Sequence, residues 1–244
     1  MARTAEGRAL TQRHRREQLA LRAASLRELQ KLWQAFDPTS IRSYSSFVTA
    51  ALPLITDSHR RSAAIGAAYY NAFRFAEGVG GEIRTALPQA LARDVVVTNL
   101  RATGLQGTMR GIRSGMSPQA AARHGFVQAS GSTGRMILLG GNDAIIGSTR
   151  NDGMAQGWAR VTSGNPCEFC AMVASRGPVF RSEGTADFES HDHCACTVEP
   201  HYEGSAWPGK ARQFREMWDS ATEGLSGRDA INAFRRRLKQ TQGG

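Results

Sequence analysis

All four cysteines of this 244-residue chain fall between positions 167 and 196, as Cys167-x2-Cys170 and Cys194-x-Cys196, with His191 and His193 just before the second pair. Two residues between cysteines at a turn-to-helix junction let both thiolates converge on one ion. A second knuckle brought across a hairpin would complete a tetrahedron. Zinc is the expected ion, because thiolate and imidazole ligands suit it and it needs no redox partner. Six candidate ligands compete for about four positions. Cys167, Cys170 and His191 are the expected first three, with Cys194 or Cys196 as the fourth and His193 beside the site or exposed. Such an ion contributes on the order of 10 kcal/mol to folding, enough to order a glycine-rich, strand-poor segment. Two alternatives stand beside it: disulfides formed in an oxidising setting, or buried thiols. The clustering argues against chance burial, since no cysteine lies elsewhere.

The rest of the composition is that of a globular chain, 41% hydrophobic and 21% charged, long enough for one large domain or two smaller ones. Aromatics at 7%, with abundant alanine and glycine, favour small-residue helical packing over a β-sandwich. No run of about 18 apolar residues exists, so no membrane span is expected. The first 30 residues are charged and lack an apolar signal region, so the expected setting is the cytosol or something assembled there. The formal charge of +10 is uneven. Residues 1–31 hold eight Arg/Lys against three Glu, a net +5, and residues 204–244 hold eight against four, a net +4. Residues 167–203 hold two Arg against seven Asp/Glu, a net −5. Basic ends around an acidic middle suit contact with nucleic acid or an acidic protein surface. A solvated surface or arginine-rich codon usage accounts for the pattern as simply.

Apolar spacing predicts helices over most of the chain. Leu19, Leu26, Leu29, Trp33 and Phe36 share a face over 8–36, and Asp37-Pro38 ends that helix. A second helix is predicted from Thr39 through Ile55, kinked or split at Pro53, and a third from Asp57 to Gly78. Signals weaken over 88–130, where Pro88 suits a first turn and Ser117-Pro118 reads as N-cap and first helical residue. Residues 134–158 read as a broken helix, because each of Gly140, Gly141, Gly147, Gly153 and Gly157 costs a helix interior about 1 kcal/mol. A turn at 163–166, a short helix from Cys167 to about Ser175, short strands at 178–181 and 195–199, and helices at 210–222 and 227–241 complete the reading. The fold expected is mainly α (α+β). It comprises an N-terminal helical region (1–130), a small Cys/His zinc-knuckle-like module with short strands (131–203), and basic C-terminal helices (204–244).

Catalytic signatures are missing. Pro166-Cys167-x2-Cys170 matches half of the zinc-deaminase pattern, but that chemistry needs His-x-Glu upstream. His14, His59 and His124 are followed two places on by Arg16, Arg61 and Phe126. There is no His-Glu-x2-His, Gly-x-Ser-x-Gly, Ser-x2-Lys or Walker loop. A closed structural metal site fits better than a catalytic one.

The stretch from Gly157 to Cys170, with Arg176-Gly-Pro-Val and His191-Asp-His-Cys-Ala-Cys196, resembles the phage Mu F-like minor head proteins, especially the short versions from phages of actinobacteria. The resemblance covers about residues 144–240 and maps the family's Cys-x2-Cys onto Cys167 and Cys170. Its His-x2-Cys-x-Cys falls on His191, Cys194 and Cys196, while the Asp192-His193 pair departs from the commoner family filling. It implies a minor capsid protein of phage head morphogenesis, a few copies inside the virion head near the portal, aiding capsid assembly, DNA packaging or genome delivery. The implied partners are portal and major capsid or scaffold proteins, with packaged DNA reached through the basic termini and the host cytoplasm as the site of assembly. Related proteins are described as capsid maturation proteases, so a Ser/His protease with unidentified residues is the enzyme alternative, and a non-specific DNA-binding head-interior protein the other.

Overall fold

A computed structural model describes residues 2–178 and 190–242. Among these residues the chain is mainly α-helical with one two-stranded antiparallel sheet, the α+β class expected. The helices are α1 (Ala5–Trp33), α2 (Ile41–Ala76), α3 (Arg93–Leu100), α4 (Gln106–Arg113) and α5 (Pro118–Asn151), with a π-turn at Arg101–Leu105 joining α3 to α4. Strand β1 (Gly157–Val161), helix α6 (Glu168–Ala174), strand β2 (Thr197–His201), α7 (Ala211–Ala221) and α8 (Gly227–Gln242) follow. No described helix is long and apolar enough to cross a membrane.

Helices α1, α2 and α5 pack on one another as the body of the molecule. At one end Leu29, Trp33, Phe47, Ile55, Leu100 and Met136 form a core in which Trp33 meets Phe36, Tyr44 and Phe47 edge-on. At the other end Tyr70, Phe73 and Ile145 face Trp158, Val198 and Tyr202 from the sheet region, with Cys170, Cys194 and Cys196 inside the same cluster. A third cluster seats Phe214, Phe234 and Leu238 of α7 and α8 against Ala171 and Ala174 of α6.

Two helices differ from the sequence expectation, each for a packing reason. Pro53 neither ends nor splits α2. Thr49, whose carbonyl loses its partner, and Pro53 itself are both exposed, so water takes that carbonyl while Ala51 and Ile55 stay fully buried on the other side. Asp57 therefore caps nothing and pairs instead with Arg60. Likewise α5 is a continuous helix of 34 residues rather than a broken one, and it runs through residue 130, where the expected first division falls. Its glycines are its contact surface. A Cβ on Gly140 would lie 2.3 Å from the His59 carbonyl, and one on Gly66 of α2 would lie 2.4 Å from the Gly141 carbonyl. The helix propensity forfeited at each glycine is offset by backbones that approach to contact. Pro88 lies outside any helix, since α3 starts at Arg93. The strand expected at 178–181 falls mostly outside the described residues.

The first half of α1 buries a polar stripe, Thr11, His14 and Gln18, where the sequence pointed to its leucines. Gln18 exchanges hydrogen bonds with Ser62, and Thr11 bonds both Tyr69 and Glu199. His14, 2% exposed, stacks on Tyr69 with centroids 4.3 Å apart, and neither ring nitrogen has a hydrogen-bond partner among the described residues. Burial alone pulls its pKa from 6.5 down to about 4. Above pH 6.5 folded and unfolded chains both carry it neutral. Between there and pH 4 only the unfolded chain takes up the proton, so stability falls with pH, by about 3 kcal/mol from this residue. His14→Phe should keep the stack and remove that share of the acid sensitivity, read by urea unfolding at pH 7 and pH 4. An unchanged pH dependence would contradict the assignment.

Candidate metal centre

The metal-ligand candidates come from two segments that the β1–β2 pair brings together. Gly157 pairs with His201 and Val161 with Thr197, so the turn after β1 and the approach to β2 emerge at the same end of the sheet. After β1, Cys167 caps the N-terminus of α6, and its sulfur accepts the Cys170 amide at 3.4 Å. The Cys-x2-Cys spacing thus works as a helix cap, aiming both sulfurs the same way. Before β2, a tight turn closes with the Cys194 amide on the His191 carbonyl at 3.1 Å, and His193 takes a left-handed backbone, φ 66°.

That turn is clamped onto α5. The His193 amide donates to the Gly131 carbonyl at 3.3 Å, and its ring lies where any Cβ on Gly131 would go. Arg135 pairs with Asp192 at 3.0 Å, and Asn142 donates to the Cys196 carbonyl at 3.5 Å. His193 is therefore a docking residue with an exposed ring, outside the donor cluster.

All five other candidates converge. Cys167, Cys170 and His191 form one mutually close triad, and Cys170, Cys194 and Cys196 form another, each within 4.8 Å, so Cys170 belongs to both. The His191 Nε2 lies 2.7 Å from the Cys167 sulfur, and the Cys170 and Cys194 sulfurs are 3.6 Å apart. All four cysteines are free thiols. Cys170, Cys194 and Cys196 are buried, while Cys167 is half-buried and His191 exposed at the mouth.

The electrostatics divide the cysteines into two that favour the thiolate and two that keep the proton. Cys167 is pulled down to about 5, first by its hydrogen bond with Cys170 and then by that residue's amide and His191. Cys194 is pulled to about 2 by hydrogen bonds with Cys170 and Cys196, with the nearby Arg160 cation assisting. Cys170 holds its proton, pushed up by its bonds to the other three sulfurs. Cys196 is drawn down by Cys170, yet Cys194 and burial outweigh that and leave it at about 11. His191 is raised, chiefly by the Asp192 carbonyl on its Nδ1, which leaves Nε2 facing the sulfurs. A cluster of thiolates and an imidazole in these positions could hold a soft or borderline metal ion.

Two features of this region carried no sequence signal. The first is the buried Arg160, whose Nη1 donates to the Cys170 sulfur at 3.5 Å. The second is Asp152 at the end of α5, which accepts from Arg74, Tyr70 and Tyr202. Both are ordinary polar residues in sequence, separated from their partners by up to 82 positions.

A family profile described as VG15 protein matches residues 6–221. The chain is 29% identical over 183 residues to the Gene 15 protein of Mycobacterium phage D29, a match covering 55% of this chain and 65% of that protein. It is 27% identical over 161 residues to the Gene 15 protein of Mycobacterium phage L5, covering 43% of this chain and 55% of that one. In both, less than two thirds of the relative's length is spanned. No solved structure matches.

Proposed function

The chain belongs to the VG15 protein family, and on that premise we propose that it is a minor head protein of a phage particle whose Cys/His module is held by a structural zinc ion. One observation carries the reading. The residues that resemble the Mu F-like minor head proteins, Cys167, Cys170, His191, Cys194 and Cys196, are the ones gathered into two triads sharing Cys170. The relatives' origin in mycobacteriophages supports the viral setting.

In this reading Cys167, Cys170 and His191 hold the ion with Cys194 as the fourth ligand. Cys170 and Cys194 stand 3.6 Å apart, close to the edge of roughly 3.8 Å that a tetrahedron with 2.3 Å zinc–sulfur bonds requires. Cys196, the other buried member of that triad, is more reluctant to ionise than Cys194. The ion's role is to lock the turn that carries β2 onto α5 and α6. The protein works in the head interior, assembled in the host cytoplasm, against portal and major capsid or scaffold proteins. The basic faces of α1 and α8 sit toward packaged DNA. Arg228, Arg236, Arg237 and Lys239 of α8 are exposed and give that helix a cationic surface.

Quantitative mass spectrometry of purified virions, with metal analysis of the recombinant chain, tests both halves. A few copies per particle and one zinc per chain are expected. Absence from the particle overturns the head assignment, and an ion-free chain with all thiols reduced overturns the metal assignment.

A further inference from the structure

Arg160 is the least expected residue of the sheet. It lies at the fourth position of the five-residue strand β1, pairs across to Val198, and is 2% exposed. Its guanidinium donates from Nη1 to the Cys170 sulfur at 3.5 Å and lies 5.8 Å from the centre of the Phe169 ring. Phe169 belongs to the two-residue spacer between Cys167 and Cys170. The cation thus touches the sulfur shared by both triads and the residue that sets the Cys-x2-Cys spacing.

Charge gives this placement a purpose. A divalent ion bound by three thiolates and a neutral imidazole carries one net negative charge, and one bound by four thiolates carries two. Cys170, Cys194 and Cys196 are 1%, 6% and 3% exposed, so water does little to solvate that charge. An uncompensated buried charge is costly, and a buried cation in hydrogen-bond contact offsets it. An N–H donated to a metal-bound sulfur also withdraws electron density from it and so spreads the charge of the centre.

We propose that Arg160 is a built-in counter-charge of the metal–thiolate centre, a positioning residue whose guanidinium meets the Cys170 sulfur and offsets the negative charge of the loaded site. The inference rests on the structural-metal reading and goes further: it names the strand residue that tunes the site.

The test uses the full chain as wild type, Arg160→Met and Arg160→Lys. Zinc affinity is measured by competition with a chelator of known strength, and the cobalt-substituted forms are compared by absorption. Arg160→Met should bind one ion per chain but about 10–100-fold more weakly. Its sulfur-to-cobalt charge-transfer band should shift to lower energy, because the donor sulfur loses a hydrogen bond. Arg160→Lys, which restores charge without the planar fork, should fall between. Arg160→Met with wild-type affinity and an unshifted band overturns the proposal. If Arg160→Met does not fold, Arg160→Gln, which keeps a donor and gives up the charge, overturns it equally by binding zinc with wild-type affinity. A wild type that takes up no zinc or cobalt fails the structural-metal reading itself, an outcome visible before any variant is compared.

Discussion

Stripping zinc from the purified chain with an excess of strong chelator is expected to unfold the segment from β1 to β2 while α1, α2 and α5 remain largely helical. The reasoning starts from what else holds that segment. Its sheet has two strands of five residues each, too little for independent stability. Its apolar contacts with the helical body run through Trp158, Val198 and the cysteines themselves. An ion here supplies on the order of 10 kcal/mol, more than such a sheet offers alone. The core around Leu29, Trp33 and Ile55 contains no residue of the β1-to-β2 segment and should survive.

The readout is thiol reactivity beside circular dichroism. Before chelation the cysteines should resist alkylation, and afterwards all four should react within minutes, with loss of near-ultraviolet signal from Trp158 and little loss of helix. Serine substitutions refine the result. Cys170→Ser should be the most damaging, because both triads use that sulfur. Cys167→Ser and Cys194→Ser should follow, and Cys196→Ser should retain zinc. If Cys196→Ser loses the ion while Cys194→Ser keeps it, the fourth ligand is the other member of the Cys-x-Cys pair. A chain whose cysteines stay protected after chelation would mean that no ion orders the module.

The Cys/His cluster was legible in the sequence because its candidate donors recur at local spacing: two per segment, each pair within a turn. The helices were legible for the same reason, their caps at Ser117 and Cys167 being local signals. What escaped depends on distant neighbours. The glycines of α5 count against a helix until α2 is laid across them. Strand β1 is buried at all five positions, so it shows no alternation of polar and apolar residues. Its partner lies forty residues on, at Thr197–His201. The polar stripe of α1 reads as a solvent face until Tyr69 and Ser62 are known to pack on it. Arg160 in a strand carries no hint of a thiolate beside it.

The same dependence on remote partners sets the second large effect, at Asp152, where Asp152→Ala should destabilise the fold by about 3–5 kcal/mol. Its carboxylate is the knot between three parts of the chain. Oδ2 accepts from Arg74 Nε at 2.9 Å and Tyr70 OH at 2.9 Å, both on α2, and from Tyr202 OH at 3.1 Å, just past β2. Oδ1 takes the Met154 amide at 3.0 Å and so shapes the turn from α5 into β1. The side chains of Arg74 and Asp152 are only 8% and 2% exposed. Burial pushes the carboxyl up, but Arg74, the Met154 amide and Tyr70 outweigh it and hold the pKa below the ordinary 3.8. The contribution is therefore complete above pH 3.8 and is lost as pH falls through the lower folded value. Removing the carboxylate strands a buried guanidinium, although the carbonyls of Val79, Gly80 and Gly81 still receive its other nitrogens and keep the loss from growing further. Asp152→Asn keeps the shape and gives up the charge, so it should cost less than alanine. For a chain of this size the alanine variant corresponds to a fall in Tm of roughly 6–20 °C. Arg74→Met combined with Asp152→Ala should lose less than the sum of the two single changes, since neither charge is then left buried alone. Additive losses would show that the two side chains stabilise the fold independently, and a Tm within a degree or two of wild type for Asp152→Ala would remove Asp152 from the architecture that holds the sheet to the helices.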